Sequence, residues 1–327
     1  GVIDSVAPSE RDPMRQSVID SVTELKRIGL VSKKFSLDKV PGADIEIRGL
    51  ETSSFRLTDD IAAVKITGGT VTGRADAAAL AGSAIDDPSS DPAEMEQDLA
   101  DSNIELATVK ENGGWYVSLW YSIAFAATGG PDNAPEFGKG VAAKGADSPE
   151  AAVRSFVDAA SDLNLRRIIE LLPPDEARAL HDYAPKFLDD ADDSAAQTKR
   201  DGFKMSVSMD MSTKLDGDRA KVSVDNLDVT AGTSPDDQVH MYQKDGCTII
   251  ETTDDTANSC NGDRKAQGKL VISTVKRDGQ WYVSPTGTVA ELLITALRSL
   301  PDDAVDQLKH SLDDLFGGAT SVLTPVD

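Results

Sequence analysis

Two stretches decide the fold: TVKENGGWYVS, Thr108 to Ser118, and TVKRDGQWYVS, Thr274 to Ser284. Matching their tryptophans gives an offset of 281 − 115 = 166. The same offset lays Val2–Glu10 (VIDSVAPSE) on Ile168–Glu176 (IIELLPPDE), with Pro8 on Pro174 and Glu10 on Glu176. Between these anchors, AAVKITGGTVTG (Ala62–Gly73) resembles RAKVSVDNLDVTAG (Arg219–Gly232) at an offset of 158, and an eight-residue indel in the loops accounts for the difference. Self-similarity at a fixed spacing marks a duplicated structural unit. A length of 327 residues, about twice that of a common domain, agrees with two units.

The second copy is the easier one to read. Asp147-Ser148-Pro149-Glu150 is a helix start: a capping side chain, a proline near the first turn and an acid at the positive end of the dipole. Val153, Phe156, Val157, Ala160 and Leu163 then form one apolar stripe of helical period. A second short helix carries Ile168, Ile169, Leu171 and Leu172. Pro173-Pro174-Asp175-Glu176 starts a third, with Ala177, Leu180, Tyr183, Ala184 and Phe187 expected to face inward. FLDDADDSAAQTKRDG reads as a polar connector. The period then falls from 3.6 to 2: Met205, Val207, Met209 and Met211 alternate with polar residues, as in a half-buried strand. Four further strands are expected, the third running through QVHMYQKDGCTIIET and the last two joined at Arg277-Asp278-Gly279. Helices followed by an antiparallel meander make an α+β unit with helices on one face of a curved sheet.

Copy two begins near Ala146, so the matching start of copy one falls about twenty residues before Gly1. The first copy is therefore expected to lack its opening helix. The expected division is residues 1–128 for the first repeat and 129–145 for a Gly/Pro/Ala linker too polar for a core. Residues 146–300 make the second repeat, and 301–327 a C-terminal helix and tail. In that tail Val305, Leu308, Leu312 and Leu315 form a helical stripe.

Charge and cysteine usage narrow the setting. With 56 acidic against 33 basic residues the formal net charge is −23. Such a surface repels phosphate backbones, which excludes nucleic acid as a partner and disfavours unaided docking on anionic lipid. No stretch approaches the roughly 20 apolar residues of a membrane span. The start, GVIDSVAPSERD, reads as the middle of a domain, which leads to the expectation of an upstream export signal or anchor, the one route to a membrane. Cys247 and Cys260 flank a turn-rich loop, and a bridge between them would contribute about 3 kcal/mol. Two buried thiols of a cytosolic protein are the competing reading. Polar neighbours favour the bridge, and with it an extracytoplasmic location, secreted or anchored to the outer face of the cell membrane.

Three amphipathic helices before a sheet that ends in G-x-W-Y-V resemble the NTF2-like (cystatin-like) superfamily, particularly its exported or lipoprotein-type tandem-repeat members in actinobacteria. The carrying residues are SPEAAVRSFVDAA, Ser148–Ala160, and DGQWYV, Asp278–Val283. The resemblance implies two tandem cone-shaped units. It specifies function poorly, since cones of this kind serve both as enzymes and as empty adaptors.

Candidate ligand-binding residues are Trp115, Tyr116, Trp281, Tyr282, His181 and Tyr183. Each aromatic pair puts its rings on opposite faces of a strand, one toward the cone or core. Core packing competes with a ligand-stacking wall. His181 is the best suspect for a base, against the plainer reading of a surface or capping residue. No residue set is assigned as catalytic. No histidines have metal-ligand spacing, and the acid-rich runs at 189–193 and 254–263 do not follow the calcium-loop pattern, so neither metal nor cofactor is expected. The reading that follows is a non-enzymatic binding or scaffold module of the cell envelope, its partner an envelope protein or a small apolar ligand. The alternative is an isomerase- or hydrolase-type enzyme using the second cone.

Overall fold

The structure, a computed structural model, describes residues 2–35, 43–75, 93–100, 102, 104–234, 236–244, 247–258, 269–300 and 304–308. It is α+β, with two antiparallel sheets. The chain divides into two compact units, one made of Gly1–Pro8, Val18–Ser122 and Leu300–Asp327, the other of Ser9–Ser17 and Ile123–Ser299.

In the first unit, strands β1 (Ala43–Arg56), β2 (Ile61–Ala75), β4 (Glu105–Glu111) and β5 (Gly114–Ser118) lie in that order, and β3 (Ala93–Asp98) pairs with the far half of β2. A 3-10 turn, Val2–Ser5, comes before helix α1 (Pro8–Arg27), and β5 runs into α2 (Leu119–Thr128). In the second unit α3 (Pro149–Ser161), α4 (Leu165–Glu170), α5 (Arg178–Tyr183) and α6 (Leu188–Arg200) come first. The strands β6 (Lys204–Asp216), β7 (Arg219–Gly232), β8 (Gln238–Lys244), β9 (Cys247–Glu251), β10 (Thr256–Asn258), β11 (Val271–Arg277) and β12 (Gln280–Val283) follow, and α7 (Pro285–Ser299) ends the unit. Its sheet order is β10-β9-β8-β7-β11-β12, with β6 on β7.

The repeat is visible in the strand register. Ile61 pairs with Val109 and Lys65 with Glu105; Arg219 pairs with Val275 and Ser223 with Val271. Every pair in the first ladder maps on the second by adding 158 on one strand (219 − 61) and 166 on the other (275 − 109). The terminal hairpins agree too: Lys110 faces Trp115 as Lys276 faces Trp281. Both long ribbons slip at one equivalent place. The shift lies between Glu51 and Thr52 in the first sheet and between Asp210 and Met211 in the second. A bulge adds local twist, so both sheets bend at the same point of the unit. The first ribbon carries a further shift between Arg48 and Glu51, where Gly49 takes φ +57°.

The structure departs from the sequence expectations at five places. QVHMYQKDGCTIIET makes two strands, β8 and β9, rather than one. The connector after Phe187 is the helix α6, whose charges lie outward on an otherwise regular Leu188–Arg200 segment. Leu180 is exposed, because α5 is only six residues long and turns its buried side through Ala179, His181 and Tyr183. Helices cover both faces of the second sheet. Ala152 and Val153 of α3 pack with Ala220 and Val222, while the opposite face meets α7 through Lys221 Nζ to Glu291 at 2.6 Å.

The fifth departure is the stretch 129–145, which is not a free linker. Val141 is buried with Ile169, Ala184 and Leu188. Its N–H donates to the His181 carbonyl at 3.0 Å, and the Lys144 N–H donates to Glu170 at 2.7 Å. Its glycines allow this: a Cβ on Gly140 would stand 2.5 Å from the His181 carbonyl oxygen.

Candidate functional site

A buried polar cluster of the second unit sits where β12 gives way to α7. Ser284 Oγ donates to the Glu176 carboxylate, 2.8 Å from Oε2 and 3.0 Å from Oε1, and the Thr286 N–H donates to Oε1 at 2.8 Å. The Gly287 N–H in turn donates to Ser284 Oγ at 3.0 Å. Glu176 is 1% exposed. Burial pushes its carboxyl above the ordinary value, opposed by the hydrogen bonds from Thr286 and Ser284. These N–H groups are the unsatisfied donors of a helix start, so the cluster serves as a cap from another segment of the chain.

The first unit repeats the serine part of the cluster position for position. The Tyr121 N–H donates to Ser118 Oγ at 3.1 Å, as Gly287 does to Ser284. Ser122 Oγ donates to the Ser118 carbonyl at 2.6 Å and receives the Ala107 N–H at 2.9 Å. Thr288 does the same between Ser284 and Ser273 at 2.7 and 3.1 Å. All these residues are related by 166. A bond set kept in both copies clamps a helix onto its sheet, which is an architectural task. The sequence pairing of Glu10 with Glu176 pointed here, and both are buried; the serines carried no signal beyond the shared WYVS.

His181 is not a surface or capping residue. It is 6% exposed, with Nδ1 2.9 Å from the Val141 carbonyl oxygen and Nε2 3.2 Å from that of Leu172. Both ring nitrogens thus face main-chain carbonyl oxygens, to one of which a neutral ring donates its single N–H, and burial closes the ring off from solvent. Tyr183 is 4% exposed. Its phenol is pushed up by burial, partly offset by Thr128.

The aromatic pairs differ between copies. Trp281 and Tyr282 are buried, Trp281 in the cluster that α3 closes. Trp115 is 39% exposed, with the Arg56 guanidinium 5.7 Å from its ring centroid, and Tyr116 is half-buried. Of the six candidates, Trp115 is the one offered most fully to solvent. Trp115 and Tyr116 belong to the first unit, and Trp281, Tyr282, His181 and Tyr183 to the second. Cys247 is disulfide-bonded; Cys260, the chain's other cysteine, lies outside the described residues.

Sequence reading missed a groove of about 370 Å³ at the far end of the first sheet. Asp44, Glu46, Thr72, Arg74, Glu94 and Glu96 line it with Gly73 and Met95. The Arg48 guanidinium donates to Glu46 at 2.6 Å and holds that carboxyl below its ordinary value. The alternations D-I-E-I and E-M-E were the available signal: they put acids on one face and Ile45, Ile47 and Met95 on the other, where all three are more than half exposed. Among the described residues, no group of three or more His, Cys, Asp or Glu side chains is arranged to hold a metal ion. No helix there is long and apolar enough to cross a membrane.

No protein-family model matches the chain, and neither does any curated protein.

Proposed function

We propose that the chain is a non-enzymatic binding or scaffold module of the cell envelope, built from two NTF2-like units and acting outside the cytoplasm on an envelope protein. The observation that carries this is the burial of His181 with both ring nitrogens turned to main-chain carbonyl oxygens. The best-placed base of the second unit is spent on holding α5 against the 129–145 stretch. Glu176 is likewise spent on the start of α7. What remains outward is sheet surface, apolar along Ile45, Ile47 and Met95 and acidic on the reverse. A contiguous apolar row on a sheet suits a protein partner better than a small molecule, which needs a concave pocket. The disulfide at Cys247 supports an oxidising compartment.

A photo-crosslinking residue at Ile47, in cells that make the protein naturally, tests this. The expected result is one crosslinked envelope protein, lost when Met95→Glu is added. Turnover of a hydrolase or isomerase substrate that disappears in a folded His181→Gln variant would sink the proposal.

A further inference from the structure

At the far end of the first sheet, register puts Asp44 beside Arg74 and Glu94, and Glu46 beside Thr72 and Glu96. In the rows between, Ile45 stands beside Gly73 and Met95, and Ile47 beside Val71. Residues of one row share a face, and successive rows alternate. One face therefore carries four acids to one arginine, an excess of three negative charges (4 − 1). The following row holds Arg48 and Asp98 and leaves that excess unchanged.

Strand β1 ends the sheet order, and among the described residues no strand pairs with its outer edge. Every residue from Asp44 to Arg56 is exposed. Such an edge presents a row of main-chain N–H and C=O groups that another chain can pair with. Its regular part is Ala43–Arg48, ended by the shift beside Gly49. The second unit treats the same positions differently. Adding 158 to Val71 and Gly73 gives Val229 and Ala231, whose partners on β6, Val207 and Met205, are half-buried. Their counterparts Ile47 and Ile45 are 54% and 68% exposed. The row is apolar in both copies and open in the first.

We infer that the outer edge of β1 takes an added strand from the partner protein, a segment as long as Ala43–Arg48 in which apolar residues alternate with Lys or Arg. The inference rests on the docking role proposed above and names the form of the partner. Main-chain bonds hold the segment to the edge. Its apolar side chains lie beside Ile45 and Ile47 and its basic ones beside Asp44 and Glu46, because directly opposed residues share a face. Charge selects this occupant. A second copy paired edge to edge would set one acidic face beside another, whereas a basic segment is drawn to a chain of net charge −23.

The labelled peptide KVKVKVK, titrated onto the full chain by fluorescence anisotropy, tests this together with amide exchange. It should bind at least roughly tenfold more tightly than EVEVEVE, since like charges would then oppose each other. It should also slow exchange at alternate amides of 43–48, and both effects should vanish in the double variant Asp44→Lys, Glu46→Lys. Parental amide protection of 61–66 shows that this variant is folded. No binding at millimolar peptide, equal binding of both peptides, binding without protection of 43–48, or full binding by the variant would each overturn the inference. Self-association of the free chain that the double variant abolishes would overturn it too, by giving the edge to a second copy. A crosslink at Ile47 in cells that survives the double substitution would overturn strand addition and leave the docking role standing. Peptide pairing without any cellular crosslink would support strand addition and sink the docking role.

Discussion

The Ser284 hydroxyl lies 2.8 Å from Glu176 Oε2, inside the second unit and 108 residues away in sequence. Because burial raises the Glu176 carboxyl, the fold favours its neutral form. The stability this contributes is complete below the ordinary glutamate value and is lost as pH rises through the elevated folded value. Glu176→Gln keeps an acceptor for the Thr286 N–H without that dependence. Urea unfolding between about pH 5 and pH 8 should show a smaller fall for the variant than for the parent. Equal slopes would mean that Glu176 is ionised in the fold at no cost. Glu176→Ala leaves the Ser284 and Thr286 donors unpaired and should cost about 1–3 kcal/mol at any pH.

Trp281 and Trp115 occupy the same strand position in sheets of equal register, but in different surroundings. Trp281→Ala opens a cavity under α3 and should cost about 3–5 kcal/mol. Trp115→Ala, at a partly exposed site, should cost about 1–2 kcal/mol. Chemical denaturation of the two variants compares them directly, and a reversed order would contradict the burial difference.

Gly140 is packed against main chain, where a methyl group would stand 2.5 Å from the His181 carbonyl oxygen. Gly140→Ala should therefore destabilise by about 1–3 kcal/mol. Gly138 has open space around its Cα hydrogens, but its φ of +83° makes an alanine there strained for a different reason. The diagnostic readout is amide protection of Val141, which should fall in Gly140→Ala and hold in Gly138→Ala. A neutral Gly140→Ala would restore the picture of a loose linker.

Cys247→Ser should lower stability by about 3 kcal/mol, mainly by freeing the unfolded chain. Thiol titration of the denatured, unreduced parent should find no free cysteine. Finding two thiols would remove the case for an oxidising compartment.

His181→Ala removes a side chain that meets two buried carbonyl oxygens. The expected loss is about 2–3 kcal/mol in thermal or urea unfolding. A change confined to ligand affinity, with stability untouched, would show instead that the ring faces a binding site.

Local pattern and repeat spacing carried much of the architecture. The α+β layout, the strand alternation at Met205–Met211 and the offsets of 158 and 166 are all legible in the amino-acid sequence. These depend on periodicity and self-similarity, which are properties of the one-dimensional chain. The pairing of β8 with β9 was not legible, because QVHMYQKDGCTIIET is apolar enough in both halves to pass for one strand.

Tertiary structure supplied what depends on neighbours distant in sequence. His181 reads as an open polar side chain until Val141 and Leu172 bring their carbonyls to it. Trp115 and Trp281 sit in near-identical strings, and only the presence of α3 over the second makes one core and the other surface. Lys221 and Val222 are adjacent, yet they meet helices on opposite faces of the sheet. Burial is set by what packs across from a residue, and a sequence string records its own side chains without the elements that come to cover them.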